Sequence, residues 1–541
     1  RYPMIRTYSG VGVDDAAVTL KLDITPNGIH AMVTSAERKT WFIDPVLQGD
    51  VTLCQVYQRD QLTRSPSEPP MTCSYDQEND IAVESARTRE WIQQMGIDRV
   101  GDCQMRTYRL ALACTGEYAN FHGSNSTNND KSFALGAMVT TMNRVNDMFE
   151  RDATLTMEMV GNTDLLVFLN GATDPYDDGD GSAMLGQNQT QCTNLIGSAN
   201  YDIGHVFSTG GGGIASLNSP CSSSNKARGV TGQGSPIGDA FDIDYVAHEM
   251  GHQYGGNHTQ NNSCNRASSA AVEVGSGITI MGYAGICAPN VGDHSIAMFG
   301  GYSMQEIAAN ITTGTSSTCP VTVSLAPEVA PQANAGVDRV IPKSTPFILT
   351  GSGTDANAGN TLTYSWEQMD NAVATMPPVS TNTGGPAWEP LLPKPTPVRY
   401  MPDLSAVIAN TTPTWQVLSS VARTLNFRLT VRDNLANGGC NDQDDMKVTV
   451  NGASGPFLVT QPNTNLSWVG LSTQTVTWDV ANTTASPVSC ANVDILLSTD
   501  GGLTYTTTIL TATPNDGSQS ITVPNIATTT ARIMVRANAN I

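Results

Sequence analysis

The segment His248-Glu249-Met250-Gly251-His252-Gln253-Tyr254-Gly255-Gly256-Asn257-His258 constrains this chain more than any other stretch of it. Residues four apart share one face of a helix, so His248 and His252 point the same way. Two imidazoles at that spacing hold one zinc ion, and Glu249 sits beside the ion without ligating it. Gly255 ends the helix, because glycine takes the left-handed conformation at low cost. The chain turns there and brings His258 back as a third ligand. Three protein ligands leave one coordination position open, as a reactive zinc requires and a structural one does not. The remaining histidines, His30, His122, His205 and His294, lack ligand spacing and read as core or surface residues.

Bulk properties narrow the partners. Lys+Arg 28 against Asp+Glu 49 gives a net charge of −21, which argues against nucleic acid as a partner. Charged residues are only 14 %, while serine, threonine, asparagine and glycine are plentiful, the balance of a secreted β-rich protein with many turns. No apolar run reaches the roughly 18 residues of a membrane span. No signal peptide is visible, and Arg1 reads as a start inside a longer precursor. At 541 residues several domains are expected.

The expected fold is multidomain: a β-rich N-terminal region, an α/β central domain and two all-β sandwiches. Residues 1–88 hold short alternating strands, with 18–24 and 28–33 joined by a Pro-Asn-Gly turn. Residues 65–70 form a loop, and the polar, basic stretch 86–90 suits proteolytic cleavage. A connecting segment spans 89–103. From 104 to 321 strands and helices alternate. Strands are expected at 108–114, 155–160 and 202–207, and a helix at 133–151 with Phe133, Met138, Met142, Val145, Met148 and Phe149 toward the core. The glycine run 210–213 lacks the Lys-Ser/Thr ending of a phosphate loop, so nucleotide binding is unsupported. Asp174, Asp177, Asp178 and Asp180 form an acidic loop that either holds Ca²⁺ through hard oxygen ligands or is merely solvated. Asp239 is placed to cap the motif helix. A Pro-rich linker follows at 322–331. Beyond it, strands recur with turns and no convincing helix, giving sandwiches at 332–452 and 453–541.

The motif, followed by residues 277–285 with Met281 as a turn methionine, resembles the metzincin metallopeptidases. Residues 106–111, 143–146, 201–207 and 241–258 extend the resemblance to the reprolysin-like (adamalysin-like) zinc proteases secreted by Gram-negative bacteria. Residues 1–88 then resemble the propeptide of such enzymes, and 332–452 a PKD-type immunoglobulin-like module. The resemblance implies a secreted or cell-surface monomeric endopeptidase that acts on proteins or peptides and carries one catalytic Zn²⁺ on His248, His252 and His258. Glu249 would be the general base toward a zinc-activated water. Gly213, Ile214 and Ala215 would be the sheet edge that pairs with substrate. In astacins and serralysins a tyrosine two residues after the turn methionine stabilises the oxyanion, which makes Tyr283 a second catalytic candidate; a packed turn tyrosine is the alternative. The rival reading of the chain is a non-enzymatic adhesin on a retained protease fold.

The eleven cysteines show no C-x-x-C pair. Cys264 and Cys287 bracket the segment from the zinc motif to the methionine turn, and they are the first expected disulfide. The resemblance also implies latency, with the N-terminal region as the chain's own inhibitor. Three devices stay open. Cys73 fills the open zinc position, or Cys73 bonds Cys54, or an aspartate such as Asp14 or Asp15 covers the zinc.

Overall fold

The computed structural model describes residues 2–50, 52–63, 73–75, 101–436 and 438–541. The expected loop at 65–70 and cleavage stretch at 86–90 lie outside the described residues.

The N-terminal region is a five-stranded antiparallel meander, Arg6–Val11, Thr19–Thr25, Gly28–Thr34, Thr40–Pro45 and Cys54–Gln58. Its second strand alternates as expected, but with the faces exchanged. Thr19, Lys21, Asp23 and Thr25 are buried, whereas Leu20 and Leu22 are only half-buried and Ile24 is exposed. The reason is the surface beneath. The sheet lies on the long helix Ser132–Ala153, whose outward face carries Arg144, Asp147, Glu150, Arg151 and Asp152. Lys21 pairs with Glu150 at 2.5 Å, Asp44 with Arg144 at 2.5 Å and Arg38 with Asp152 at 2.5 Å, and Thr140 donates to Asp23 at 2.6 Å. Polar residues face inward because their partners are there.

The other face of the long helix delivers Met138, Met142, Val145, Met148 and Phe149 to the main core, as its spacing predicts, whereas Phe133, expected with them, is only half-buried. Against them packs a seven-stranded sheet of Val321–Ser324, Gln104–Cys114, Ile203–Ser208, Gly229–Gly232, Gly213–Ala215 and Cys73–Tyr75 in that order, with Leu155–Met159 beside Gln104–Cys114. Gly213–Ala215 runs antiparallel to Gly229–Gly232 and parallel to Cys73–Tyr75.

Beyond residue 331 the chain is almost wholly β. Residues 332–451 build a four-stranded sheet and two two-stranded sheets around a core centred on Trp366, Trp388, Phe427 and Leu429. One short helix, Leu404–Ala409, interrupts the strands where none was expected. Residues 458–537 form two three-stranded sheets with their own core of Val476, Trp478, Ile495 and Ile521. The first of these β regions is fastened to the central region by the disulfide Cys103–Cys440 and by buried polar contacts. Among these, Arg432 donates to Asp152 at 3.1 Å, and Glu367 accepts from the Gly301 amide at 3.0 Å.

Candidate metal centre

The motif lies at the end of one continuous helical run. Gly238–Phe241 is α-helical, Asp242–Ala247 is a π-helical turn, and His248–Gln253 is α-helical again. π-turns are frequent at functional sites because one extra residue re-aims the side chains that follow. Asp239 does not cap this helix, contrary to expectation. The N-cap position is Ile237, without a side-chain bond, and Asp239 is buried against Arg59 of the N-terminal region. Arg59 also pairs with Asp244 at 2.6 Å, and His294 bonds the other oxygen of Asp244 at 2.7 Å. A carboxylate facing a buried guanidinium gains more from the ion pair than from exposed helix amides.

After Tyr254 the chain turns at Gly255, whose φ of +106° suits glycine, and returns His258. The Nε2 atom of His252 lies 3.0 Å from Nε2 of His248 and 3.0 Å from Nε2 of His258. Each Nδ1 is spent on a main-chain carbonyl: His248 on Ile280 at 2.7 Å, His252 on Gly256 at 2.6 Å, His258 on Asn265 at 2.9 Å. Fixing Nδ1–H this way turns the Nε2 lone pairs inward. Burial holds the imidazoles neutral. It lowers the His248 pKa to about 4 and takes His252 and His258 well below the usual histidine range, with neighbouring imidazoles adding to the effect.

The fourth member is Cys73. Its Sγ is 3.5, 3.7 and 3.3 Å from Nε2 of His248, His252 and His258. These four buried residues form the one group of three or more His, Cys, Asp or Glu gathered at metal-binding distance among the described residues. Three neutral imidazoles and one thiol match zinc in donor type. Ligands about 2.0–2.3 Å from a tetrahedral ion stand about 3.3–3.6 Å apart, close to the spacings found here. Of the latency alternatives, the Cys54–Cys73 disulfide is absent: Cys54 is an exposed free thiol on an edge strand. Asp14 and Asp15 are exposed on a hairpin and do not belong to the cluster.

Glu249 is fully buried beside the cluster; its carboxylate oxygens have no N–H or O–H donor among the described residues and face only the Cys73 thiol. Burial pushes its pKa well up; burial and the charge of Glu249 do the same to the Cys73 thiol. Gly213 lies against this carboxylate so closely that a Cβ there would run into Oε1. The expected edge strand Gly213, Ile214 and Ala215 is therefore adjacent to Glu249, and its outer side is occupied by Cys73–Tyr75.

Met281 packs against the motif helix, its Sδ so near Gly251 that a Cβ there would clash with it, and its carbonyl accepts from the Thr259 amide at 3.1 Å. Tyr283 is buried with its ring centroid 4.5 Å from that of His258, and its hydroxyl donates to the Cys73 carbonyl at 3.2 Å. The expected disulfide Cys264–Cys287 is formed, alongside Cys221–Cys319.

The acidic loop does not gather its carboxylates. Asp174 accepts from the amides of Gly116 and Tyr176, Asp178 from Thr115 and Thr209, and Asp180 caps the helix Gly181–Gln191. Asp174, Asp177, Asp178 and Asp180 are not among the residues gathered at metal-binding distance in this structure. Amide donors to these side chains are supplied by the fold itself, which a count of acidic residues does not reveal.

Two residues near the site have no motif to announce them. Gln253 bonds the buried His205 at 2.8 Å, and Asn265 bonds the Cys73 carbonyl at 2.7 Å. Only the position of Asn265, directly after Cys264, hinted that it would be held close to the cluster.

Residues 104–310 match the model of the reprolysin-like metallo-peptidase family M12B. This is a zinc metallopeptidase family, and the matched range contains His248, His252, His258 and Glu249. No curated protein matches the chain. A solved structure of chimeric titin Z1Z2 functionalized with a KLER exogenous peptide from decorin aligns at 10 % identity. It covers 39 % of this chain and 92 % of its own, with a TM-score of 0.15, which carries no argument about fold or function.

Proposed function

We propose that this chain is a secreted zinc endopeptidase in its latent form, with residues 1–88 as propeptide and Cys73 as the inhibitory ligand. The observation that carries the reading is the convergence of three Nε2 atoms and one Sγ beside a buried carboxylate that has no N–H or O–H donor. His248, His252 and His258 hold the zinc. Bound there, zinc lowers the pKa of water toward about 7 and polarises a carbonyl. Glu249 accepts the proton of the attacking water and passes it to the departing amine. Its carboxylate faces only the Cys73 thiol, so it is free for this exchange once that segment leaves. Gly213, Ile214 and Ala215 offer main-chain groups to an extended substrate, and the absence of a Cβ at Gly213 leaves Glu249 room. Tyr283, its ring 4.5 Å from that of His258, stabilises negative charge on the substrate oxygen.

Latency follows from the same geometry. Cys73 takes the fourth ligand position and Cys73–Tyr75 covers the edge strand, so both the metal and the peptide-binding edge are closed together. Three disulfides, and no helix among the described residues long and apolar enough to cross a membrane, fit an extracellular site of action. The two C-terminal β regions are read as immunoglobulin-like modules, the first of them PKD-type.

The test is hydrolysis of casein by the full chain and by the chain cleaved between residues 75 and 103. Activity is expected only after cleavage, and it should vanish with a chelator and return with zinc. A cleaved, zinc-loaded protein with no hydrolysis of any protein substrate would reject the reading in favour of a binding protein.

A further inference from the structure

The Cys73 segment is an extended peptide lying in the cleft, so its main-chain contacts mark places where the cleft grips peptide. Its carbonyl at Cys73 is held by two side-chain donors, Asn265 Nδ2 at 2.7 Å and Tyr283 Oη at 3.2 Å. The two donors also touch, Asn265 Nδ2 being 3.2 Å from the Tyr283 hydroxyl. Asn265 stands at the rim of the cleft with φ of +45°, a left-handed conformation that asparagine tolerates better than most residues. Its neighbour Cys264 is fixed by the disulfide to Cys287, and Gln260 donates to the Cys264 carbonyl at 2.7 Å. Its own carbonyl accepts from His258 Nδ1. One residue thus orients a metal-ligand imidazole with its main chain and presents a carboxamide N–H to the cleft with its side chain.

We propose that Asn265 is a substrate-binding residue: once the Cys73 segment leaves, its carboxamide donates to a main-chain carbonyl of the bound peptide next to the scissile bond. This rests on the peptidase reading above. The chemistry is that already made to Cys73, an amide N–H to a peptide carbonyl, and it needs no particular side chain on the substrate. Asn265 therefore serves affinity and alignment rather than side-chain preference. In the latent form the same donor steadies the inhibitory segment.

Two variants separate this role from a structural one. Asn265→Gly keeps the left-handed backbone at low cost and removes the donor. Asn265→Asp keeps the shape and replaces the donor with an acceptor. Both retain the main-chain carbonyl that orients His258, so zinc content and thermal midpoint should match the parent. In the cleaved enzyme, kcat/KM on a peptide of six or more residues should fall about five- to tenfold in both, the effect of one lost neutral hydrogen bond. In the full chain, Cys73 should react with a thiol reagent several-fold faster in both. If either readout stays within twofold of the parent, or if activity falls only in step with zinc loss, the proposal is overturned. Glu249→Gln run in parallel keeps the two readings apart: if it abolishes hydrolysis while the Asn265 variants do not affect it, only the role of Asn265 fails. If the cleaved, zinc-loaded parent hydrolyses no peptide at all, the peptidase reading fails.

Discussion

The imidazoles around Cys73 and the guanidiniums around Asp152 are equally closed to solvent, yet their polar atoms end differently. At Asp152, Oδ1 accepts from Arg38 of the N-terminal region and Arg432 of the first C-terminal β region, and Oδ2 accepts from the Phe299 amide at 2.9 Å. Every acceptor there has a donor from the chain. Beside Cys73, three lone pairs turn toward one another and the Glu249 carboxylate has no N–H or O–H donor, only the Cys73 thiol. Buried polar groups are nearly always satisfied, so a cluster of acceptors facing acceptors implies a species that the chain does not supply. Both clusters join distant parts of the sequence. One is finished by the fold and holds it together; the other, on the reading proposed above, is finished by a metal ion.

The largest effect expected from this contrast is at Glu249. Glu249→Gln should lower kcat of the cleaved enzyme by about 10²–10⁴-fold, the usual worth of general-base assistance. Unfolding stability should not fall, because a neutral amide replaces an unpaired buried acid. Steady-state kinetics and urea titration on the same preparation check both halves. A variant within a few-fold of the parent would remove Glu249 from the chemistry and collapse the contrast.

Asp152→Ala should do the opposite. It leaves Arg38 and Arg432 buried without their carboxylate, a loss of about 3–5 kcal/mol for a broken buried pair. Because the N-terminal sheet and the first β region both meet at Asp152, the loss should appear in the full chain by urea unfolding, with zinc content unchanged in the folded fraction. Loss of zinc at full stability would contradict the division drawn here.

What was legible beforehand follows from how local each feature is. His248, His252, Gly255 and His258 obey one helix turn and one cap, so eleven residues suffice to place three ligands. The core face of the long helix and the pair Cys264–Cys287 could be read in the same way, from spacing along a short stretch. Cys73 was harder to read: 175 residues separate it from His248, and nothing local distinguishes a ligand from a disulfide partner. Where long-range packing reverses a local rule, the sequence misleads. Lys21 and Asp23 sit on the inward face of a strand because Glu150 and Thr140 await them. Asp239 faces Arg59 rather than a helix end. In Arg423–Arg432 the first half alternates, but Leu429, Thr430, Val431 and Arg432 are all buried, because this end of the strand docks on the central region. The donors to the acidic loop of Asp174 through Asp180 include Thr115, Gly116 and Thr209, all distant in sequence, which no count of acidic residues reveals.

Tyr283 lies between the two extremes, a satisfied group at the unsatisfied site. Tyr283→Phe keeps the ring against His258 and removes the hydroxyl. An interaction made only in the transition state lowers kcat with little change in KM. For one hydroxyl the fall should be about tenfold in the cleaved enzyme. Unchanged kcat would assign Tyr283 to packing and to holding the Cys73 carbonyl in the latent form.

The smallest effect should come from Arg38, and it is the sharpest test of how the Asp152 cluster is built. Arg38 is fully buried, and only its Nη2 reaches Asp152; Nε and Nη1 have no hydrogen-bond partner. Burial lowers its pKa to about 9, with Asp152 opposing that shift and Arg151 and Arg432 adding to it. The carboxylate is thus well served while this guanidinium is not. A buried ion pair with imperfect geometry can be replaced by an apolar side chain at little cost. Arg38→Met keeps the length, removes the unpaired donors and leaves Asp152 with Arg432 and the Phe299 amide. Unfolding free energy should then lie within about 1 kcal/mol of the parent, or above it. A loss comparable to that of Asp152→Ala would mean that the cluster depends on both guanidiniums equally, and that the unpaired donors of Arg38 are tolerated for the strength of its single bond.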